Sequence, residues 1–484
     1  MYLGLDLGTS GLRGLLIDGD GRVVGSAEAS YSNPHPAPGW SEQDPADWIK
    51  ACRAVMAELS AAYPREISAL RGIGLSGHMH GATLLGADDT VLRPCILWND
   101  TRSAEQAQWL DAQAGIRESS GNIVFPGFTA PKLLWVEEHE PEVFAKLAKV
   151  LLPKDYLRLW LTGSHISDMS DSAGTSWLDV GARDWSTLAL ETSHIRREQM
   201  PELVEGSAAG GRLRAALCTE WGIKGSVVVA GGGGDNAAAA CGAGCFAEGT
   251  GFVSLGTSGV LLAARDSFAP APETAVHSFC HAVPGRWYQM GVILAATDCL
   301  NWLSRSVGQS PEQLSAALPR QVSGPGALTF LPYLSGERTP HNDAAIRGAF
   351  VGLDIGMETD ALTRAVMEGV AFALRDSLEA LRKTGANLET VLAVGGGTRS
   401  RFWLETLAST LGLSLALPAG GEFGAALGAA RLAICAETGA DPAQVMTAPE
   451  ISETIAPSSD LTARYDEAYQ TYRALYPALR QAGA

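Results

Sequence analysis

One aspartate lies where a proton-accepting carboxylate could act on a hydroxyl group. Asp235 follows four glycines in Gly231 to Asn236 (GGGGDN), between an apolar strand predicted at Val227 to Ala230 and a small-residue helix predicted at Ala237 to Gly244. Successive glycines let another group approach the backbone closely. Asp235 could take the proton of a hydroxyl that attacks a phosphoryl group. Helix capping is the alternative role, but capping does not require four preceding glycines.

A second aspartate precedes a turn that suits phosphate. Asp6 ends a predicted strand before LGTSG at Leu7 to Gly11, and the same five residues recur at Leu255 to Gly259. Such turns expose N–H groups and hydroxyl donors, which can hold phosphate oxygens without a lysine. Asp6 could position magnesium through water, or it could accept hydrogen bonds from the turn. The sequence contains neither the P-loop motif GxxxxGK[ST] nor a GxGxxG motif followed by an acidic residue that could bind a ribose. Phosphate binding is therefore predicted at the two turns. The residues concerned are Gly8, Thr9, Ser10, Gly256, Thr257 and Ser258.

A third glycine run predicts a nucleotide contact. Gly395, Gly396 and Gly397 follow a strand predicted at Thr390 to Val394 and precede a helix predicted from Ser400. Backbone at such a junction can lie against a flat or charged ligand, as an adenosine pocket requires. A plain turn is the alternative.

Polar and aromatic residues after two other strands suit a polyol. His78, Met79 and His80 lie in HMHG after the strand predicted at Ile73 to Ser76, and a polyol needs several short hydrogen bonds of the kind that imidazoles make. A zinc site would need further ligands nearby. Trp98, in the WNDTR cluster with Asp100, is either a core residue or a platform for a sugar.

The elements that carry these motifs alternate between strand and helix, which predicts an α/β protein. At 484 residues the chain exceeds what one hydrophobic core usually supports, so two domains with a cleft between them are expected. The repeated LGTSG turn indicates duplicated domains, with chance coincidence as the alternative. Its spacing places the boundary near residue 245, giving domains at 1–245 and 246–484.

Composition excludes several classes of partner. The net charge of −17 and the lack of a Lys/Arg run argue against nucleic acid. No stretch of about 18 apolar residues and no signal-like start is present, so no membrane partner is expected. The eight cysteines form no CxxC pair, which is typical of a reducing compartment. These features predict a cytoplasmic protein.

With these motifs in this order, the chain resembles the FGGY carbohydrate kinases over nearly its whole length. Within that family it resembles the bacterial kinases that act on D-xylulose. GFTAPKLLWVEEH at Gly127 to His139 is similar to the first signature of the family at each of its restricted positions. Other similar segments are MYLGLDLGTSG, GWSEQDP, GHMHGATLL, LWND, LLPKDYLRL, SDMSDSAGT, GGGGDN, SLGTSGV, HSFCHA and FLPYLSGERTPH. Each is weak alone, but their order and spacing are specific.

The resemblance implies two actin-like (ribonuclease H-like) ATPase domains that flank a catalytic cleft, and ATP-dependent phosphorylation of D-xylulose to D-xylulose 5-phosphate in xylose catabolism. It implies Asp235 as catalytic base, Asp6 as support for Mg²⁺ through water, and ATP as the phosphate donor. The implied sugar contacts are Met79, His80, Trp98, Asp100 and Asn236. Arg13 joins the two turns and Gly395 to Gly397 on the nucleotide side. A homodimer is a family-level expectation.

Two residues depart from the family pattern. Arg13 replaces a frequent lysine, which keeps the charge and changes its geometry. Ala361 lies where the second signature, at Gly348 to Glu368, expects a polar residue. Two alternatives stay open from sequence: a kinase for ribulose, an arabinitol-like polyol or glycerol, and an actin-like ATPase acting as chaperone, filament or regulator. Neither a peptide-binding module nor a DNA-binding extension is evident for the second alternative.

Overall fold

Two large β-sheets form the centres of the two halves of the molecule. The structure is a computed structural model that describes residues 1–420 and 424–483. The first sheet contains β1 (Tyr2–Leu7), β2 (Gly11–Ile17), β3 (Val23–Ser30), β4 (Gly72–Gly77), β5 (Ala209–Arg212), β6 (Val228–Ala230) and β7 (Gly233–Gly234). The second contains β8 (Gly251–Leu255), β9 (Gly259–Arg265), β10 (His277–Cys280), β11 (Trp287–Ile293), β12 (Thr390–Val394), β13 (Ser414–Pro418) and β14 (Ile451–Ile455).

The two sheets share one strand order. The first runs β3-β2-β1-β4-β6-β5, with β7 also paired to β4, and the second runs β11-β9-β8-β12-β13-β14 with β10 added at its edge. Along both sequences of six strands, the successive pairs are antiparallel, antiparallel, parallel, parallel and antiparallel. The two LGTSG turns connect β1 to β2 and β8 to β9, so they occupy equivalent places. This correspondence favours duplication over coincidence, although Asp6 of β1 is matched by Ser254 of β8.

Helices pack against these sheets, and eleven of them are labelled. They are α1 (Pro45–Ala62), α2 (Thr129–His139), α3 (Pro153–Thr162), α4 (Met169–Ser172), α5 (Asp235–Ala243), α6 (Thr297–Val307), α7 (Pro311–Ala316), α8 (Thr359–Lys383), α9 (Arg401–Leu411), α10 (Ala425–Thr438) and α11 (Ser459–Ala482). As the sequence predicts, Asp44 caps α1 by accepting from the N–H of Ala46, and Pro45 is its first residue. The apolar face of α1, including Trp48, is buried.

The shorter helices and strands complete the layers. The additional helices are Pro64–Ser68, Ala104–Asp111, Ile116–Ser120, Pro141–Phe144, Thr187–Thr192, Ala215–Glu220 and Pro442–Val445, with 3₁₀ turns at Ala173–Thr175, Arg197–Gln199, Pro272–Thr274 and Gly396–Arg399. The additional strands are Glu42–Gln43, Thr83–Leu85, Cys95–Ile96, Lys149–Leu151, Ile166–Asp168, Leu178–Asp179, Asp184–Trp185, Glu202–Val204, Thr329–Leu331 and Ala349–Val351.

Two helices cross between the sheets with their backbones almost in contact. A Cβ added at Gly428 of α10 would lie 1.7 Å from the carbonyl oxygen of Ala238 in α5. The same helix α10 also lies on the first sheet, where a Cβ at Gly74 would lie 1.7 Å from the carbonyl oxygen of Ala429. Glycine therefore allows a helix from the second half of the chain to pack directly on the first sheet. The boundary near residue 245 stays a prediction.

No helix within residues 1–420 and 424–483 combines the length and the hydrophobicity needed to cross a membrane.

Candidate active site

Asp235 begins helix α5 directly after the glycine turn. The N-cap of α5 is Gly234, which has no capping side chain, and Oδ1 of Asp235 accepts from the backbone N–H and the side-chain amide of Asn236, at 2.7 and 2.8 Å. Asp235 is half-buried. A Cβ at Gly231 or Gly232 would lie 2.2 Å from a backbone carbonyl oxygen. The turn is therefore packed tightly on both sides, which a simple helix cap would not require.

Asp6 lies at the same edge of the first sheet. In the strand register Asp6 is opposite Ser76 of β4, and Ser76 is opposite Gly233 of β7. The carboxyl ends of parallel strands meet at one edge, so Asp6 and Asp235 flank the end of β4. Burial raises the pKa of Asp6, while Ser76 and the positive charge of Arg13 act in the opposite direction.

The two carboxylates influence each other electrostatically. Burial, and then the negative charge of Asp6, raise the pKa of Asp235 to about 6, against the lowering effect of the Asn236 hydrogen bonds. A carboxylate with a pKa near the working pH is suited to general base chemistry, because it is ionised at neutral pH and still basic enough to accept a proton.

His80 lies just after the end of β4, the strand that Asp6 and Asp235 flank, and the segment 78–80 is called the polar wall. Its backbone adopts a left-handed φ of +71°, its ring stacks on Phe128 with centroids 4.5 Å apart, and Nδ1 donates to the carbonyl oxygen of Gly174 at 2.6 Å. Burial lowers the pKa of His80 to about 3, so the ring is neutral. Since a carbonyl only accepts, Nδ1 carries the proton and Nε2 is left as an acceptor for a ligand hydroxyl.

The neighbours of His80 have different roles. Met79 is buried against the glycine turn, where a Cβ at Gly234 would lie 2.9 Å from its sulfur. His78 is also buried and contacts the edge of Trp48, with centroids 5.8 Å apart. Of the two imidazoles in the motif, His80 is therefore the more exposed one. No group of three or more His, Cys, Asp or Glu side chains suited to a metal ion occurs in the part of the chain that the structure describes.

Lys132 supports this wall and was not predicted from its position in the sequence. Its fully buried Nζ donates to the carbonyl oxygens of His80 and Gly127, both at 2.7 Å. Burial lowers the pKa of this ammonium group to about 7. The lysine lies within the GFTAPKLLW segment on α2, and that segment was the available signal. Its observed contacts give it a positioning role toward His80.

Trp98 and Asp100 differ in exposure. Trp98 is 46% exposed, which argues against the core role, and the role as a platform for a sugar stays a prediction. Its Nε1 donates to Oγ1 of Thr9 in the first turn at 3.0 Å. Asp100 is buried, pairs with Arg102 at 2.7 Å and accepts from the N–H of Ser41 at 2.6 Å. Both of its oxygens have protein partners, which favours shaping of the wall over direct contact with a sugar.

Side chains from other segments hydrogen-bond to the backbone of the first LGTSG turn. The hydroxyl of Tyr31 donates to the carbonyl oxygen of Gly8 at 2.5 Å, and the amide of Gln43 donates to that of Thr9 at 2.5 Å. Ser10 is exposed at the tip. Arg13, on β2 opposite Asp6, lies 3.2 Å from Glu28. The turn is thus fixed beside Asp6 with its tip open.

The second turn adjoins the third glycine run. Gly256 accepts at its carbonyl oxygen from the hydroxyl of Thr297 at 2.8 Å, and Thr257 and Ser258 are exposed. Gly395 has a φ of +95°, and a Cβ there would lie 2.6 Å from the carbonyl oxygen of Leu255. A Cβ added at Gly396 would have no other atom within 4 Å, so this position is open. The two segments predicted on the nucleotide side therefore share one surface.

A cavity of about 810 Å³ opens next to these turns. Gly396 and Gly397 line it, together with α6, α7 and the start of α9. Side chains that sequence analysis did not single out include Asn301, Glu312, Arg320 and Arg399. These residues come from four separate segments, so no single motif could reveal them. The volume is in the range expected for a small-molecule or cofactor site.

A duplicated α/β fold of this strand order, with an LGTSG turn at the equivalent place in each sheet, is the fold of the actin-like ATPases. Residues 1–242 match the N-terminal domain of the FGGY family of carbohydrate kinases, and residues 251–437 match its C-terminal domain. The chain belongs to this family, as its sequence segments predicted.

Individual relatives extend over almost the whole chain. The chain is 45% identical to the xylulose kinase of Escherichia coli (strain K12), covering 99% of both chains. It is 47% identical to the xylulose kinase of Klebsiella pneumoniae, covering 90% of this chain and 89% of that protein. The crystal structure of a xyloylose kinase from Brucella ovis superposes with a TM-score of 0.98, at 59% identity and 99% coverage of both chains.

Proposed function

We propose that this chain transfers the γ-phosphoryl group of ATP to D-xylulose, giving D-xylulose 5-phosphate and ADP, as a step of xylose catabolism. The observation that carries the proposal is the similarity, over nearly the full length, to proteins named xylulose kinases. Family membership makes the chain an ATP-dependent carbohydrate kinase. The sugar follows from these relatives.

Asp235 acts as the general base in this proposal. The terminal hydroxyl of the sugar loses its proton as its oxygen bonds to the γ-phosphorus, while the bond from that phosphorus to the β,γ-bridging oxygen breaks and ADP leaves. A carboxylate with a pKa raised to about 6 is ionised at neutral pH and accepts the proton. Met79, His80, Trp98 and Asn236 form the sugar side, and Nε2 of His80 accepts from a sugar hydroxyl.

The phosphates lie between the two turns in this arrangement. Backbone N–H groups and hydroxyls of Gly8 to Ser10 and Gly256 to Ser258 donate to phosphate oxygens, with Arg13 adding positive charge on the first turn. The adenosine lies in the 810 Å³ cavity beside Gly395 to Gly397. Phosphoryl transfer depends mainly on such positioning and charge stabilisation.

Magnesium is part of the proposal, with Asp6 as its support. The carboxylate lies at the end of β1 directly before the first turn, and carboxylate and phosphate oxygens suit this hard cation, which keeps several waters. Bound Mg²⁺ would neutralise charge on the phosphates. The cleft then closes over both substrates and excludes water. We also propose a cytoplasmic location, where ATP is available, and a homodimer.

The substrate is tested by following ADP formation with purified protein and Mg-ATP. The panel contains D-xylulose, L-xylulose, D-ribulose, L-ribulose, D-arabinitol and glycerol. The highest kcat/KM for D-xylulose is expected. A clear preference for another member would overturn the sugar and leave the kinase class intact. Absence of stimulation by any sugar would contradict the proposed function as a whole.

A further inference from the structure

A cluster of five charged side chains lies buried directly behind the turn that carries Asp235. Lys154, Asp155 and Arg158 come from α3, and Asp168 and Asp171 come from the segment at the start of α4; the side chains of all five have no exposed surface. Nζ of Lys154 is 2.6 Å from Asp155, 2.8 Å from Asp168 and 3.2 Å from Asp171. Removing one of these side chains would leave a buried charge uncompensated. The five side chains therefore depend on one another energetically.

Arg158 connects this cluster to the beginning of the glycine turn. Its Nη1 donates to the carbonyl oxygen of Ala230 at 2.5 Å, and its Nη2 donates to that of Gly231. A Cβ at Gly210 would lie 2.5 Å from Nη1, so glycine at this position leaves room for the guanidinium group. The planar fork of arginine can hold two adjacent carbonyl groups, which a lysine ammonium on the same stem cannot match.

Ser170 connects the cluster to the end of the turn. Its hydroxyl oxygen accepts from the N–H of Gly234 at 3.2 Å and donates to Oδ2 of Asp168 at 2.5 Å. Oδ1 of Asp168 is the atom that pairs with Lys154. Gly234 immediately precedes Asp235, so the chain of contacts from Lys154 ends one residue from the proposed base. The turn is therefore held at both ends by one buried network.

The charges of the cluster act on one another. Burial raises the pKa of Asp171 well above its ordinary value against the lowering effect of Lys154, and the other two carboxylates add to the increase. Burial opposes the charge of Lys154, but the three carboxylates outweigh it and raise its pKa. The hydrogen bonds from Arg158 and Ser170 to the turn favour a mechanical role for the cluster.

We propose that Arg158 and Ser170 are positioning residues that hold the carboxylate of Asp235 at the reacting hydroxyl of the substrate. This inference rests on the proposed function, since it assigns a role within the same reaction. The physical reason is that a misplacement of about 1 Å can lower a rate by about 100-fold. Catalytic side chains therefore need a rigid supporting shell, and here it is supplied by the LLPKDYLRL and SDMSDSAGT segments.

The test compares two buried serines. Ser170→Ala removes the acceptor for Gly234. Ser167→Ala is the matched control, because the Ser167 hydroxyl donates to Asp155 of the same cluster at 2.6 Å and has no observed hydrogen bond to the turn. We expect Ser170→Ala to lower kcat by about 10- to 100-fold with the KM for ATP within about twofold, and Ser167→Ala to change kcat by less than about threefold. Ser170→Thr keeps a hydroxyl and should restore part of the rate.

Arg158→Lys provides a second variant that keeps the positive charge. It should lower kcat in the same way, because the two carbonyl contacts are lost. Equal losses of kcat in Ser170→Ala and Ser167→Ala, or a Ser170→Ala enzyme with wild-type kcat, would overturn the proposal.

A measurement without substrate separates this inference from the proposed function. Amide hydrogen exchange of the segment 231–236 should be faster in Ser170→Ala than in wild type and unchanged in Ser167→Ala. If wild type shows no sugar-stimulated turnover, the proposed function fails, and with it the catalytic role of these residues. Unchanged exchange in Ser170→Ala would overturn the positioning role whatever the substrate.

Discussion

The negative charge of Asp6 raises the pKa of Asp235, although the two aspartates are 229 residues apart in the sequence. They come together because β1 and β7 both pair in parallel with β4 and end at the same edge of the sheet. One carboxylate thus lies directly before the first LGTSG turn, and the other lies directly after the glycine turn at the start of α5.

Asp235→Asn should lower kcat by about 10² to 10⁴, the usual contribution of a general base, because the amide cannot accept the proton. The side chain keeps its size, so the affinity for ATP should be nearly unchanged. Steady-state kinetics and calorimetric titration with ATP measure the two effects. Asp20→Asn, an exposed carboxylate in a surface turn, is the control. Turnover like that of wild type in Asp235→Asn would show that another group accepts the proton.

The rate should depend on pH through Asp235. A base acts in its ionised form, so kcat/KM for the sugar should fall as pH decreases through the pKa of about 6 and stay level above it. Asp6→Asn removes the neighbouring negative charge, which lowers the pKa of Asp235 and moves the acid limb to lower pH. Profiles from about pH 5 to pH 8 for both enzymes measure the shift. An acid limb that does not move would contradict the electrostatic coupling.

Lys132→Met should weaken sugar binding more than nucleotide binding. The variant keeps an unbranched apolar side chain but loses the donors to His80 and Gly127. The carbonyl oxygen of Gly127 loses its bond from Nζ, while that of His80 keeps only the hydroxyl of Thr129 at 3.2 Å. A buried carbonyl group without a partner costs about 1 to 3 kcal/mol, part of which is expected to appear as a KM for the sugar raised about tenfold. Lys146→Met, at an exposed lysine, is the control. An unchanged KM for the sugar in a folded Lys132→Met enzyme would contradict the positioning role.

Gly428→Ala should destabilise the protein at the crossing of α5 and α10. The new Cβ would lie 1.7 Å from the carbonyl oxygen of Ala238, so the helices must separate. Overpacking usually costs about 1 to 3 kcal/mol, and contact with backbone places this site at the upper end. Thermal unfolding compares it with Gly225→Ala, where nothing lies within 4 Å. Equal melting temperatures would show that the crossing tolerates a side chain.

Much of the local structure could be predicted from sequence, because short apolar segments and glycine turns depend on nearby residues. The strand at Thr390–Val394 was predicted with its observed bounds, and the helix predicted at Ala237 instead begins at Asp235. That difference arises because Gly234 adopts the N-cap position, so Asp235 already lies in the first turn of the helix.

The supporting contacts could not be predicted in the same way. Gly234 and Ser170 are 64 residues apart, and Ala230 and Arg158 are 72 apart. No periodicity or local motif records such pairs, since they depend on how three segments meet behind the sheet. Asp100 stays a predicted sugar contact, and its hydrogen bond from Ser41, 59 residues away in sequence, could likewise not be predicted from its cluster.

Asp6 and Ser254 occupy equivalent places before the two LGTSG turns, yet only the first is acidic. The chain resembles a covalently joined dimer whose two subunits kept one architecture and then specialised. The first copy has a carboxylate before its turn, whereas the second has a neutral hydroxyl at the equivalent place. A second acidic group there would repel the triphosphate. In the proposed reaction, the asymmetry gives the first half both carboxylates, whereas the second half presents a neutral turn to the nucleotide.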